Sequence, residues 1–182
     1  MKNPLTITNY WLENIVIGLD LCPFARIPWE KGLIRTVLCE GSKEETHLEF
    51  FLSELEFLHE NPASVVSTTI IVYPDADADF LVFNDFVGDL ESMLSESQLN
   101  ETFQLVAFHP RFMFLDSSFN DVENLVNRSP YPVLHILRSA DLDRARLMES
   151  SGSDISFRNE AKLKALSQDA RDALFYYLKE SK

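Results

Sequence analysis

Glycine is scarce in this chain, five among 182 residues, and cysteine scarcer still, with Cys22 and Cys39 alone. So few glycines leave no material for a phosphate cradle. There is no G-x-G-x-x-G, no G-x-x-x-x-G-K and no G-x-S-x-G, which excludes dinucleotide and ATP sites of those types and a nucleophile elbow. No other motif for a nucleotide or a flavin is present. Two cysteines without C-x-x-C spacing build neither a disulfide framework nor a preorganised metal knuckle, so reduced thiols in a reducing cytosol are expected. Long apolar runs are missing too: no stretch of about 18 uncharged apolar residues occurs. The N-terminus is broken by Pro4, Asn9, Glu13 and Asn14 instead of forming an export signal. The expected compartment is the cytoplasm, without a membrane partner.

Bases are absent where acids gather. Residues 40–101 hold fifteen Asp and Glu against the single base Lys43, while the rest of the chain is close to balanced, and the net charge is −13. Nucleic-acid affinity rests on basic side chains neutralising phosphates, so no nucleic-acid partner is expected. The acids read first as a solvated face that keeps the protein soluble.

What the chain does have is apolar mass: 46% hydrophobic residues, with 14 Phe, enough for the core of one domain spanning 1–182. Helical spacing of Trp11, Ile15 and Leu19 predicts a first helix over 6–20, ended by Pro23. Strands are predicted at 33–39, 65–73, 103–109 and 132–138, each short, aliphatic and bounded by breakers. Between them, Ser42 and Glu45 read as a capping box before a helix at 43–60, and Asp77 as the cap of a helix carrying Phe80, Phe83, Val87, Leu90 and Leu94. A short helix near 120–126 and a helix capped by Ser139, with Leu142, Ala145 and Met148 on one stripe, follow. An SSGS loop at 150–153 then leads to two more helices. Strands alternating with helices predict an α/β sandwich around a four-stranded, largely parallel or mixed sheet. The third-to-fourth strand connection, about two dozen residues with little helix, leaves open an antiparallel return and a ferredoxin-like α+β alternative.

Two segments carry the unusual polar content, FHPRFMF at 108–114 and NRSPYPVLHILR at 127–138. His109 ends its strand at the carboxyl edge, where open α/β sheets place ligands, and is the first candidate for general acid/base work. His135, inside a strand among aliphatic neighbours, reads first as a hydrogen-bonded core histidine and second as catalytic. Arg128 and Arg138, with Arg111 nearby, could clamp a phosphate or carboxylate with Asn127 orienting it, or could pair with acids and hold the long loop down. Cys22 is a weaker nucleophile candidate, because the carboxyl end of a helix raises a thiol pKa. Cys22, His109 and His135 are zinc-ligand types, but lie too far apart to preorganise a site, and no metal is assigned. Asp75, Asp77 and Asp79 lack the glycine and terminal glutamate of a calcium loop.

LCPFA at 21–25, TTIIVYP at 68–74, AFHPRFMF at 107–114 and NRSPYPVLHILR at 127–138, in this order, resemble the bacterial family catalogued as domain of unknown function 1415 over roughly residues 10–165. The resemblance implies a single-domain layout and no mechanism. Two functions are therefore open. One is a small cytosolic enzyme or binding domain recognising an anionic small molecule, with His109, Arg128 and Arg138 in one pocket. The other is an adaptor presenting its acidic helices to a basic partner. Neither reading specifies an oligomeric state.

Overall fold

A computed structural model describes residues 3–148 and 155–179. The SSGS loop expected at 150–153, and the burial of Ala145 and Met148 before it, lie outside what is described. Helix α1, Pro4–Trp11, starts with a proline at its first position and the Asn3 side chain accepting from the Leu5 N–H at 2.9 Å. It continues as a π-helical turn, Leu12–Ile17, instead of the regular α-helix expected to residue 20. Trp11 and Ile15 still face inward, so the apolar stripe is kept. Gly18 follows that turn so closely that a Cβ there would sit 2.3 Å from the Asn14 carbonyl oxygen. Only glycine passes under that carbonyl.

Helix α2 (Arg26–Glu30) precedes β1 (Ile34–Leu38), α3 (Glu44–Glu60), β2 (Thr68–Val72), α4 (Phe80–Glu96) and β3 (Phe103–Phe108). A 3-10 turn, Val122–Asn127, then leads into β4 (Val133–Arg138), α5 (Ser139–Met148), α6 (Ile155–Ala165), α7 (Gln168–Leu174) and a final 3-10 turn, Tyr176–Lys179. Two caps differ from expectation. Lys43 occupies the cap position of α3 with no side-chain bond, so Ser42 and Glu45 form no capping box. Asp79 caps α4 by accepting from the Leu81 N–H at 2.9 Å, and Asp77 instead accepts from the Asp79 N–H at 2.8 Å. Among three closely spaced aspartates, the one nearest the apolar run of α4 meets the free helix donors.

The sheet order is β1-β2-β4-β3. Strands β1 and β2 are parallel neighbours, whereas β4 is antiparallel to both β2 and β3, with His135 opposite Ile70 on one side and Val106 on the other. The sheet is therefore mixed. Helix-linked strands β2 and β3 are split by β4, a ferredoxin-like detail, but the adjacent parallel pair β1 and β2 keeps the architecture α/β. Strand β2 is buried along its whole length, as a central strand covered on both faces must be. Its alternation divides the core. Ile71 and Tyr73 join Phe51, Leu58, Phe83 and Leu90 beneath α3 and α4. Ile70 and Val72 join Trp11, Ile15, Val133 and Leu163 beneath α1 and α6.

The π turn gives a controlled stability test. Gly18→Ala is expected to destabilise the protein by ~1–3 kcal/mol through overpacking against backbone. Gly88→Ala, in α4 with nothing within 4 Å of the added carbon, should stabilise it by ~0.5–1 kcal/mol. Urea unfolding of both variants checks the pair, and equal effects would contradict the π-turn account.

Candidate functional site

The antiparallel entry of β4 brings its amino end to the carboxyl ends of β1, β2 and β3. There the His109 N–H donates to the Asn127 carbonyl at 3.1 Å and the Tyr73 N–H to the Pro132 carbonyl at 2.9 Å. Of the sequence candidates, His109, Arg111, Asn127 and Arg128 share this end. Arg138 does not, because it lies opposite Phe103 at the start of β3. That is roughly 20 Å away at the usual rise per strand residue.

His109 is only 1% exposed, its ring packed against Phe80 and Phe83 at centroid distances of 5.7 and 5.8 Å. Its Nδ1 accepts from the Arg111 N–H at 3.0 Å, which assigns the proton of the neutral ring to Nε2. The Asp77 backbone lies beside the ring, yet among the described residues no group meets Nε2 at hydrogen-bonding geometry. Burial pushes the pKa down to about 4, helped by the Arg111 charge and opposed by the Asp77 backbone and the carboxylates of Asp77 and Asp79. At neutral pH the imidazole is uncharged and closed off by aromatic rings. It orders the start of the loop that follows β3.

Arg128 holds the rest of that loop. The residue is 7% exposed; its Nε donates to the Phe112 carbonyl at 3.1 Å, its Nη2 to the Phe119 carbonyl at 2.5 Å, and its guanidinium stacks on the Phe119 ring at 4.3 Å. Burial lowers its pKa, and its charge is met by carbonyl dipoles. The Tyr177 hydroxyl donates to the Arg128 carbonyl at 3.0 Å, pinning the backbone from the other side. Asn124, fully buried, completes the brace. Its Oδ1 accepts from the Phe114 N–H at 3.0 Å and the Ser117 hydroxyl at 2.8 Å, while its Nδ2 donates to the Ser118 carbonyl at 2.8 Å. Sequence spacing predicts a short helix here but not the role of Asn124, because a lone asparagine in a polar loop carries no distinguishing signal.

The same loop turns its apolar side chains outward. Leu115 is 96% exposed, and Met113, Phe114 and Phe119 are also exposed. Phe80, Phe112 and Phe114 form a continuous ring ladder with centroid distances of 5.0 and 4.8 Å. Leu81 and Val82, next to Phe80 on the first turn of α4, are exposed as well.

A family model described as "Protein of unknown function (DUF1415)" matches residues 4–173, from α1 into α7. The chain belongs to that family. No curated protein and no solved structure matches it.

The remaining candidates of this DUF1415 chain lie elsewhere. Arg138 donates through Nη2 to the carbonyls of Leu58, Asn61 and Val66 at 2.5, 2.5 and 3.2 Å, tying the end of α3 and the following loop to the sheet. His135 sits on the α1 and α6 face, where its Nε2 lies 2.6 Å from the Thr68 hydroxyl. That hydroxyl donates to the Ile136 carbonyl at 2.6 Å, so the histidine is the donor and carries its proton on Nε2. Burial lowers its pKa to about 4. Cys22 packs against that same face, whereas His109 lies on the other, so the three zinc-type residues do not form one ligand set. Among the described residues no group of three His, Cys, Asp or Glu side chains could hold a metal ion. No described helix is long and apolar enough to cross a membrane.

Two outcomes follow for this DUF1415 chain. Both histidines titrate near 6.5 once unfolded and near 4 in the fold, so the unfolded state binds more protons between those values. Their contribution is full above pH 6.5 and is lost as pH falls toward 4, on the order of 3 kcal/mol each. Urea unfolding across that range should show the loss, and His135→Gln should flatten the dependence. Arg128→Ala, which leaves two part-buried carbonyls without their donor and removes the stacking on Phe119, is expected to cost ~1–3 kcal/mol and to speed amide exchange across 110–121 in hydrogen-exchange mass spectrometry. Exchange left unchanged would contradict the bracing role.

Proposed function

We propose that this protein is an interaction domain that docks a segment of another protein on the outer side of the 110–121 loop. One observation carries the reading: a loop tied down internally by Arg128, Asn124 and His109 nevertheless presents Met113, Phe114, Leu115 and Phe119 to solvent. Exposed apolar side chains on a mobile loop would fold back or scatter. Held in place and joined to Phe80 and Phe112, they make a preformed anchor patch, which lowers the ordering cost of association.

The anion-pocket reading has less support. It requires Arg128 and Arg138 to offer their guanidinium forks to one ligand, whereas these groups stand at opposite ends of β4 and already serve backbone carbonyls. It also requires a proton-transferring His109 within reach of a substrate, and that ring lies behind Phe80 and Phe83.

Site-specific photo-crosslinking tests the docking reading. A benzophenone side chain placed at Leu115 in the full chain, expressed in the organism of origin, should give one discrete adduct. The same probe at the exposed Glu56 of α3 should not, and Arg128→Ala should abolish the Leu115 adduct by releasing the loop. Identical adduct patterns from both positions, or none from any of Met113, Phe114 and Leu115, would remove the proposal.

A further inference from the structure

We infer that the segment received by this patch is cationic, a stretch of another protein bearing lysine or arginine beside apolar side chains, and that it is not a second copy of this chain. The inference rests on the interaction reading above and adds the chemistry of the partner.

The patch is bordered by carboxylates. Asp77 and Asp79 lie close enough to His109 to favour its charged form, and Asp79 caps α4 one residue before Phe80, whose ring touches Phe112. Asp116 directly follows the exposed Leu115, and the Asp121 carboxylate accepts the Ser118 N–H at 2.7 Å within the same loop. All four residues are exposed. Across 74–79 and 110–121 the sequence holds five acids, Asp75 included, against one base, Arg111.

Among the described residues none of these carboxylates is held in an ion pair: Lys164 feels Asp121 and Arg111 stands near the ring beside Asp77 and Asp79, but neither closes a bridge to them. The ion pairs of the described residues join Arg35 to Glu54, Arg144 to Asp141, Lys162 to Asp20, Lys164 to Glu160 and Lys179 to Asp172. None of them uses Asp75, Asp77, Asp79, Asp116 or Asp121. The cation buried beneath the patch, Arg128, faces inward to carbonyls and does not reach the rim. An approaching cationic segment thus meets apolar anchors at the centre and an excess of carboxylates at the rim, which steers encounter and sets register.

The same geometry disfavours the other occupants. Two copies meeting through one patch would do so isologously, rim against rim, apposing like charges on chains of net charge −13. Anionic lipid and nucleic acid meet the same repulsion.

Three short synthetic helical peptides serve as probes for the full chain by fluorescence anisotropy, one of leucine with lysine, one of leucine with serine and one of leucine with glutamate. The lysine peptide should bind best and lose about tenfold in affinity from low to high salt, as exposed attractions are screened. F114S/L115S should abolish its binding, because the anchors are gone. D77N/D116N should weaken it about fivefold, by an amount set by lost rim attraction. The amide oxygen that D77N introduces can still accept the Asp79 N–H, so the turn before α4 is kept. E56Q/E60Q, on exposed positions of α3, should leave binding unchanged.

Equal binding of the serine or glutamate peptide, lost in F114S/L115S, overturns the cationic inference while the docking surface stands. Lysine-peptide binding that survives F114S/L115S, or that falls equally in E56Q/E60Q, is unspecific attraction and removes the docking reading itself. Absence of lysine-peptide binding at millimolar concentration overturns the inference. So does self-association in analytical ultracentrifugation that F114S/L115S abolishes, which would assign the patch to a second copy.

Discussion

Strand β4 lies between β2 and β3 and runs against both, and the geometry of the candidate surface depends on that placement. Had β4 continued the parallel series, the NRSPYP segment would enter at the opposite end of the sheet from His109. Antiparallel pairing makes them meet: Asn127 receives the His109 N–H and Pro132 receives the Tyr73 N–H. Pro130 and Pro132 suit this stretch because it precedes the ladder, where a missing N–H breaks no sheet bond. The Ser129 hydroxyl, donating to the Tyr131 carbonyl at 2.5 Å, tightens the turn between them.

The two arginines that flank β4 act as a matched pair of internal braces. Arg128, ahead of the strand, gathers the carbonyls of Phe112 and Phe119; Arg138, at its end, gathers those of Leu58, Asn61 and Val66. Each fastens an irregular connection to one end of the sheet. A guanidinium does this better than an ammonium because its planar fork presents several donors in fixed directions. Connections leave many backbone acceptors without a ladder partner, and buried acceptors must be met. The arginines meet them, and the loop over Arg128 can then hold its phenylalanines and leucine toward solvent.

The legible parts of the fold are those governed by spacing. The stripe Phe83, Val87, Leu90 and Leu94 on α4, the strands between breaker residues and the buried run of β2 all follow from periodicity and composition. Less legible are local choices among near-equivalent residues. Asp77 and Asp79 are equally good caps by type, and only the start of α4 selects Asp79. The π turn after Trp11 leaves the inward stripe intact, so hydrophobic spacing carries no trace of it apart from Gly18. For the candidate site, the two polar segments flanking β3 and β4 stand out in the sequence, but their assembly is only half readable there. His109, Asn127 and Arg128 do meet, whereas Arg138 is a strand-length away. Arg128 does hold the long loop, but through carbonyls instead of the acids expected as partners.

Sequence alone determined the α/β class, the four strands, the apolar faces of α3 and α4 and the acidic middle of the chain, because each arises from residues near one another along the backbone. Tertiary structure decided the direction of β4, the burial of His109 behind Phe80 and Phe83, and the outward turn of Met113–Leu115 above a buried guanidinium. Those outcomes depend on which distant carbonyls and rings come within bonding distance, and spacing along the chain does not encode that.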